Sequence, residues 1–239
     1  MIVKATDIKN NFGKYLKLLD EEDIIVTRNG TPIAKITRHK DWDDTGMVHE
    51  QAAKYGYNEK KMSYEDFTVM SEEANERYEY IDGTAYLLAS PGMTHQKVIG
   101  NLYASFRLWF DAKKCAPYLS PFDVTLKRGE HDVNVVQPDL VVICDPENRN
   151  EKDRYTGIPP LVVEVLSSES ARMDLIKKLD LYMQTGIQEY WVVNHLNQEV
   201  IVYRFENRDI ADMKLFVRED RVESLVFQGL SIELKEVFA

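Results

Sequence analysis

Two short runs of aliphatic, mostly β-branched residues constrain this chain more than anything else in it. Val135 to Cys144 reads VVQPDLVVIC, and Leu161 to Leu166 reads LVVEVL. Runs of that length and composition, bounded by Pro and Asp, are how buried central strands look in a sequence. Each run carries a carboxylate, Asp139 in the first and Glu164 in the second. Charged side chains are rarely buried unless paired or bound to a metal, so two of them on adjacent strands point to a site where a divalent cation offsets their repulsion. Hard oxygen ligands of this kind favour magnesium or manganese. The next segment, ARMDLIKKLDLYMQTG, has helical texture and repeats Asp174, Lys178 and Tyr182 at every fourth residue. That spacing lines the three polar groups along one helical face, from which Lys178 can reach the carboxylates.

Plainer readings exist for each residue alone. Asp139 after Pro138 can simply open a strand or a turn, and a single helical lysine is usually solvated. Glu164 is harder to explain that way, because VVEVL flanks it with apolar residues on both sides. The three residues in this order make the site the better reading.

Other phrases surround them: RYEYIDG at Arg77 to Gly83, SPGMTH at Ser90 to His95, SPFDV at Ser120 to Val124, then DLIKKLDLY and GIQEYWVV. Together with QPDLVVICD and PPLVVEVLS, this ordered set resembles the PD-(D/E)xK nuclease superfamily and, within it, the Uma-type restriction-endonuclease-like family. The resemblance runs from Met62 to Phe205. It implies an α/β (α+β) fold with a restriction-endonuclease-like central mixed β-sheet flanked by helices. It also implies an endonuclease that hydrolyses phosphodiester bonds in DNA with magnesium or manganese held by Asp139 and Glu164. Lys178 and Glu79 complete the catalytic set in this reading, with Tyr182, Asp174, His95 and Asp123 as helpers. One departure matters: the superfamily pattern places a lysine two residues after the glutamate, where this chain has Leu166. The family's displaced lysine, on the next helix, corresponds to Lys178, with Lys177 as the substitute.

The first forty residues form a separate unit. MIVKA reads as a strand, Thr6 or Asp7 as a helix cap, Ile8 to Leu19 as a helix, and IIVTRNGTPIAKITR as a hairpin turning at Asn29-Gly30. Phe12, Tyr15, Leu16 and Leu19 share one side of the helix, leaving Lys9, Lys14 and Lys17 largely elsewhere. KATDIKNNFGKYL and IIVTRNGTPIAKI resemble the N-terminal domain of prevent-host-death type antitoxins. That resemblance implies a module that dimerises, binds DNA through residues such as Lys9, Lys14, Lys17 and Arg28, and has a toxin protein as a further partner. The bland alternative is a structural cap on the main domain. The expected organisation is thus residues 1–43 as the antitoxin-like domain, 44–61 as a polar linker and 62–239 as the nuclease-like domain.

Charge qualifies the nuclease reading. The chain of 239 residues carries a net charge of -10, which argues against a general nucleic-acid binder, since phosphate neutralisation needs Lys and Arg. Residues 1–40 hold 8 Lys and Arg against 5 Asp and Glu, a net +3, which leaves 22 against 35, or -13, for the rest. A non-enzymatic alternative therefore stands beside the enzyme: an antitoxin or transcriptional repressor with an inactive nuclease fold. No basic segment followed by an apolar one opens the chain and no apolar run is long enough to cross a bilayer, so a cytoplasmic protein without membrane contact is expected. Cys115 and Cys144 have no metal-binding or disulfide spacing and are expected to be reduced.

Elsewhere, Ser63 to Ser71 reads as a helix and Tyr78 to Leu88 as a hairpin around Asp82-Gly83 that carries Glu79. Thr94 is read as the cap of an amphipathic helix, His95 to Lys113. Asp123 lies on an alternating strand, Pro121 to Lys127, with a turn, a supporting contact or a ligand as its three readings. Glu189 to Asn194 and Val200 to Phe205 read as strands. LFVRED and SLVFQG suggest edge strands before a short terminal helix.

Overall fold

The structure, a computed structural model, describes residues 2–4, 24–28, 31–36, 61–167 and 173–239. The chain divides into two compact units, Met1–Lys54 and Tyr55–Ala239. In the first, β1 (Ile2–Lys4) runs parallel to β2 (Ile24–Arg28), which pairs antiparallel with β3 (Thr31–Ile36). The expected hairpin arms are therefore present. The expected helix with Lys9, Lys14 and Lys17, the Asn29-Gly30 turn and the linker up to residue 60 lie outside the described residues.

The second unit is built on a six-stranded mixed sheet. In spatial order its strands are β13 (Asp209–Val217), β12 (Glu199–Glu206), β11 (Glu189–Asn194), β10 (Leu161–Val165), β9 (Leu140–Ile143) and β6 (Ala116–Leu119). All five residues of β10 are buried, as the unbroken apolar run requires. Leu161, Val163 and Val165 pack into a core shared with α2 (Met93–Trp109) and α4 (Leu234–Val237). Val162 and Leu166 pack on the opposite face with a second sheet and with α3 (Leu179–Thr185).

That second sheet has the order β5 (Thr84–Leu87), β4 (Tyr78–Ile81), β8 (Val133–Val136) and β7 (Val124–Lys127). The β4–β5 hairpin turns at Asp82 and Gly83, both with positive φ, as the Asp-Gly pair predicts. Helix α1 (Tyr64–Glu73) is capped by Ser63 and packs through Phe67, whose ring stacks on Tyr80 at 4.7 Å. A π-helical segment, Met173–Lys178, leads into α3, which ends at Gly186 with φ 92°. A left-handed glycine there is the usual way to close a helix.

Four expectations need correction. Val135 to Cys144 is two strands, because Pro138 has no N–H for a ladder; β8 and β9 leave the break in different sheets. Helix α2 starts at Met93 with Gly92 at its cap position and no side-chain cap, so Thr94 caps nothing. SLVFQG forms no strand: the buried carboxylate of Glu189 takes the Ser224 hydroxyl (2.9 Å) and the Val226 amide (2.7 Å) and holds the segment as a loop between β14 (Arg221–Glu223) and β15 (Ser231–Glu233). Cys115 and Cys144 are joined by a disulfide. Their separation of 29 residues gave no hint of it, but the antiparallel register that sets Ala116 opposite Ile143 brings the two together one residue further on.

Candidate active site

The break at Pro138 is what makes the site. In the β9–β10 register Leu161 faces Val142 and Val163 faces Leu140, so one further step sets Asp139 opposite Glu164. Asp139 thus stands where the chain crosses from one sheet to the other. Its Oδ2 accepts the Val165 amide at 2.8 Å and lies 3.3 Å from His95 Nε2. Glu164 Oε2 faces the Asp139 amide at 3.4 Å.

Glu164 projects from β10 to the face covered by α3. Its Oε1 accepts from Lys178 Nζ at 2.9 Å and from the Tyr182 hydroxyl at 2.7 Å. Lys178 Nζ also reaches Glu79 Oε1 at 2.9 Å and Asp174 Oδ1 at 3.4 Å. Glu79 arrives on β4 and additionally accepts the Gln137 amide at 2.8 Å. Glu79, Asp174, Glu164 and Lys178 are respectively 2%, 2%, 3% and 4% exposed. The sequence-derived set of Glu79, Asp139, Glu164, Asp174, Lys178 and Tyr182 therefore converges on one place, buried except at the half-buried Asp139, with His95 attached through Asp139.

One cation faces several carboxylates, and the proton affinities reflect it. Burial pushes the Glu164 carboxyl well above its ordinary value of 4.5; Lys178 opposes this, while Asp174, Asp139 and Glu79 reinforce it. Burial works against the charge on Lys178, yet Glu164, Glu79 and Asp174 hold its pKa well above the ordinary 10.5. The two shifts agree once the charges are counted: the lysine has three anionic neighbours, and the glutamate has one cationic neighbour and three anionic ones. Tyr182 is likewise raised, first by burial and then by Glu164, so it stays a hydroxyl donor.

Some helpers lie apart. Asp123 binds Arg154 (3.1 Å) and the Gln137 side chain (2.8 Å), which makes it a supporting contact rather than a ligand. Lys177 turns to the Tyr86 hydroxyl and ring instead of the carboxylates, so it does not substitute for Lys178. Arg28 ends β2 in the other unit. Sequence reading missed Gln137, Tyr190, whose hydroxyl donates to the Asp174 carbonyl at 3.1 Å, and His195, whose ring meets His95 edge-on at 6.3 Å. Gln137 adjoins the Pro-Asp pair and was open to inference; His195 comes close only through the β11 turn.

The oxygen donors of Asp139 and Glu164 suit a hard divalent cation, and the surplus negative charge favours one. Among the described residues no three His, Cys, Asp or Glu side chains form an ion-binding group, and Glu164 is engaged by Lys178.

The mixed six-stranded sheet with helices packed on it gives the second unit a restriction-endonuclease-like fold. Residues 64–235 match the Uma2 family model, described as "Putative restriction endonuclease", and the chain belongs to that family. The crystal structure of a putative nuclease belonging to DUF820 from Anabaena variabilis superposes with a TM-score of 0.60 at 20% identity, covering 72% of this chain and 96% of that one. That likeness concerns the fold. Two uncharacterized proteins of Synechocystis sp. are similar in sequence. One is 28% identical over 181 residues, 74% of this chain and 92% of its own length; the other is 23% identical over 141 residues, 58% and 78% respectively.

The raised Glu164 pKa has a consequence for stability. An unfolded chain releases this proton near pH 4.5, whereas the folded protein keeps it to higher pH, so the Glu164 contribution to stability falls as pH rises from about 4.5 through the raised value. Thermal midpoints measured across that range without metal should decline more steeply for the wild type than for Glu164→Gln. Parallel curves would contradict the assignment.

Proposed function

We propose that the chain is a metal-dependent endonuclease that hydrolyses phosphodiester bonds in DNA. The observation that carries this reading is the placing of Glu164 between Asp139 and Lys178, with more negative charge around Lys178 than it balances. Asp139 and Glu164 would hold magnesium or manganese, which activates water and polarises a phosphate oxygen when bound. The protein's own part is positioning. His95 and the Val165 amide both engage Asp139 Oδ2, which fixes the carboxylate and leaves Oδ1 for a ligand. Tyr182 and Lys178 fix Glu164 through Oε1. Lys178, held also by Glu79 and Asp174, would be the cation that offsets the negative charge building on the phosphate in the transition state.

Residues 1–43 would pair two chains and hold duplex DNA through Lys9, Lys14, Lys17 and Arg28, with a toxin protein as the partner that the antitoxin likeness implies. Support comes from the β1–β3 arrangement and from the net +3 of residues 1–40. A unit of this size buries little core alone, which favours self-association. The repressor alternative is favoured by one observation: Lys178 already engages Glu164, one of the two carboxylates that would hold a metal.

Plasmid and single-stranded nucleic acids, incubated with and without magnesium or manganese, should be cut by the wild type only with metal. Asp139→Ala and Lys178→Ala should each lower the rate by about a hundredfold or more, the scale of losing one preorganised electrostatic group. An Asp139→Ala variant that cuts as fast as wild type would refute the site. Binding of operator-like duplex without any cutting would favour the repressor.

Light scattering addresses the first unit. The full chain should be a dimer and a chain beginning at Met62 a monomer. Two monomers, or two dimers of equal tightness, would exclude residues 1–43 as the pairing module.

A further inference from the structure

We propose that Arg77 and Lys177 are phosphate contacts, which hold the backbone of the nucleic-acid substrate against the Asp139–Glu164 centre. A main-chain bond from the Leu88 amide to the Arg77 carbonyl (2.9 Å) carries the β4–β5 ladder one step beyond the pairing of Tyr78 with Leu87. Arg77 is therefore two residues before Glu79 in extended chain, and the period of two puts both side chains on one face. Tyr86, directly across from Glu79 on β5, shares that face. One cation is anchored on each side of Glu79 in this way. The Arg77 guanidinium donates to the Ser120 hydroxyl at 3.3 Å, and the Ser120 amide donates to the Asp139 carbonyl at 3.3 Å. The Lys177 ammonium donates to the Tyr86 hydroxyl and stands 4.9 Å from the centre of its ring.

These anchors are hydroxyls and an aromatic ring, and neutral partners orient a cation without cancelling its charge. Other arginines of the second unit are tied to carboxylates within the fold: Arg128 to Asp82, Asp132 and Asp180, Arg149 to Asp153, Arg154 to Asp123 and Arg221 to Glu233. A cation held like that gives little to a phosphate, because the exchange leaves its carboxylate unpaired. Among the described residues, neither Arg77 nor Lys177 has a carboxylate partner. In a chain with a net charge of -10 such groups are scarce, and two of them beside the same buried acids are what a polyanionic ligand needs.

Their positions suit a ligand that enters at Asp139. The Asp139 side chain is 19% exposed, against 2%, 4% and 2% for Glu79, Glu164 and Asp174, so solvent reaches the acids there. Ser120 holds the half-buried Arg77 at that opening, and a guanidinium fork matches two oxygens of one phosphate. Lys177, exposed and next in the chain to Lys178, borders the site beside β5. The assignment of the phosphates to a nucleic acid rests on the nuclease reading; the two open cations do not.

The salt dependence of binding counts such contacts, since each phosphate neutralised on duplex DNA adds about 0.9 to the slope of log affinity against log salt concentration. Full-length protein is titrated into a fluorescein-labelled DNA duplex and followed by anisotropy over about 50 to 200 mM potassium chloride, with EDTA present so that nothing is cut. Arg77→Gln and Lys177→Gln should each weaken binding and each lower the wild-type slope by about 0.9, and the losses should add in the double variant. Contacts made by residues 1–43 are common to all variants and cancel from the difference. Arg77→Lys gives up the fork but keeps the charge, so it should keep the slope; a residue needed only to hold Ser120 would not separate lysine from glutamine in this way. Lys235→Gln removes an exposed charge on α4, across the sheet from Glu164, and should leave the slope unchanged. Because Lys177 is exposed, the proposal can fail on Lys177→Gln even where Arg77→Gln perturbs the fold. Wild-type slopes in both glutamine variants, or a wild type that does not bind the duplex, overturn the proposal, and a wild type that still cuts DNA with metal leaves the nuclease standing without it. A loss confined to one variant overturns the role of the other residue. Slopes that fall as expected, in a protein that cuts nothing under any metal, support the phosphate contacts and refute the nuclease.

Discussion

One ammonium group, Lys178 Nζ, lies within reach of three buried carboxylates, Glu79, Glu164 and Asp174. Those carboxylates come from β4 in one sheet, β10 at the centre of the other and the π-helical segment before α3. Removing one partner of a buried pair generally costs about 3–5 kcal/mol, because it strands the other charge. The lysine therefore ties three elements together, yet it is one charge against three. A set of buried acids left short of positive charge either keeps a proton or takes a cation, and the raised Glu164 pKa is the first of these outcomes.

A contrast within the same sheet shows why burial of a carboxylate is not enough to make a site. Glu189 on β11 is closed off from solvent just as Glu164 is. Its oxygens are taken up by the Trp191 ring N–H, the Ser224 hydroxyl and the Val226 amide, which are fixed donors without charge. Its work is to hold a loop. Glu164 instead faces a lysine, a tyrosine and other acids, with the Asp139 amide as its main-chain neighbour. The neighbours, rather than depth, separate the two carboxylates.

Much of this was legible in the sequence because it rests on local patterns. The apolar run around Glu164 forces a central strand, Asp82-Gly83 fixes the β4–β5 turn, and Gly186 ends α3. The four-residue spacing from Asp174 to Tyr182 brought acid, lysine and tyrosine to one place even though the first part of the helix is π-wound. What stayed hidden depends on long-range pairing. Nothing local distinguishes Glu189 from a surface strand residue, since two of its three donors lie 35 and 37 residues away. The Cys115–Cys144 bond follows from the β6–β9 register, and β6 itself was not foreseen. Pro138 was visible, but its effect, a strand divided between two sheets with Asp139 at the junction, needed the sheets.

The central claim is that these carboxylates take a divalent cation at Asp139 and Glu164. Titration of the full chain with Mn2+, read by loss of the free-ion electron paramagnetic resonance signal, tests it without reference to any substrate. The account predicts saturable uptake by the wild type that is strongly weakened in Asp139→Asn. No uptake, or equal uptake by the two proteins, would contradict it.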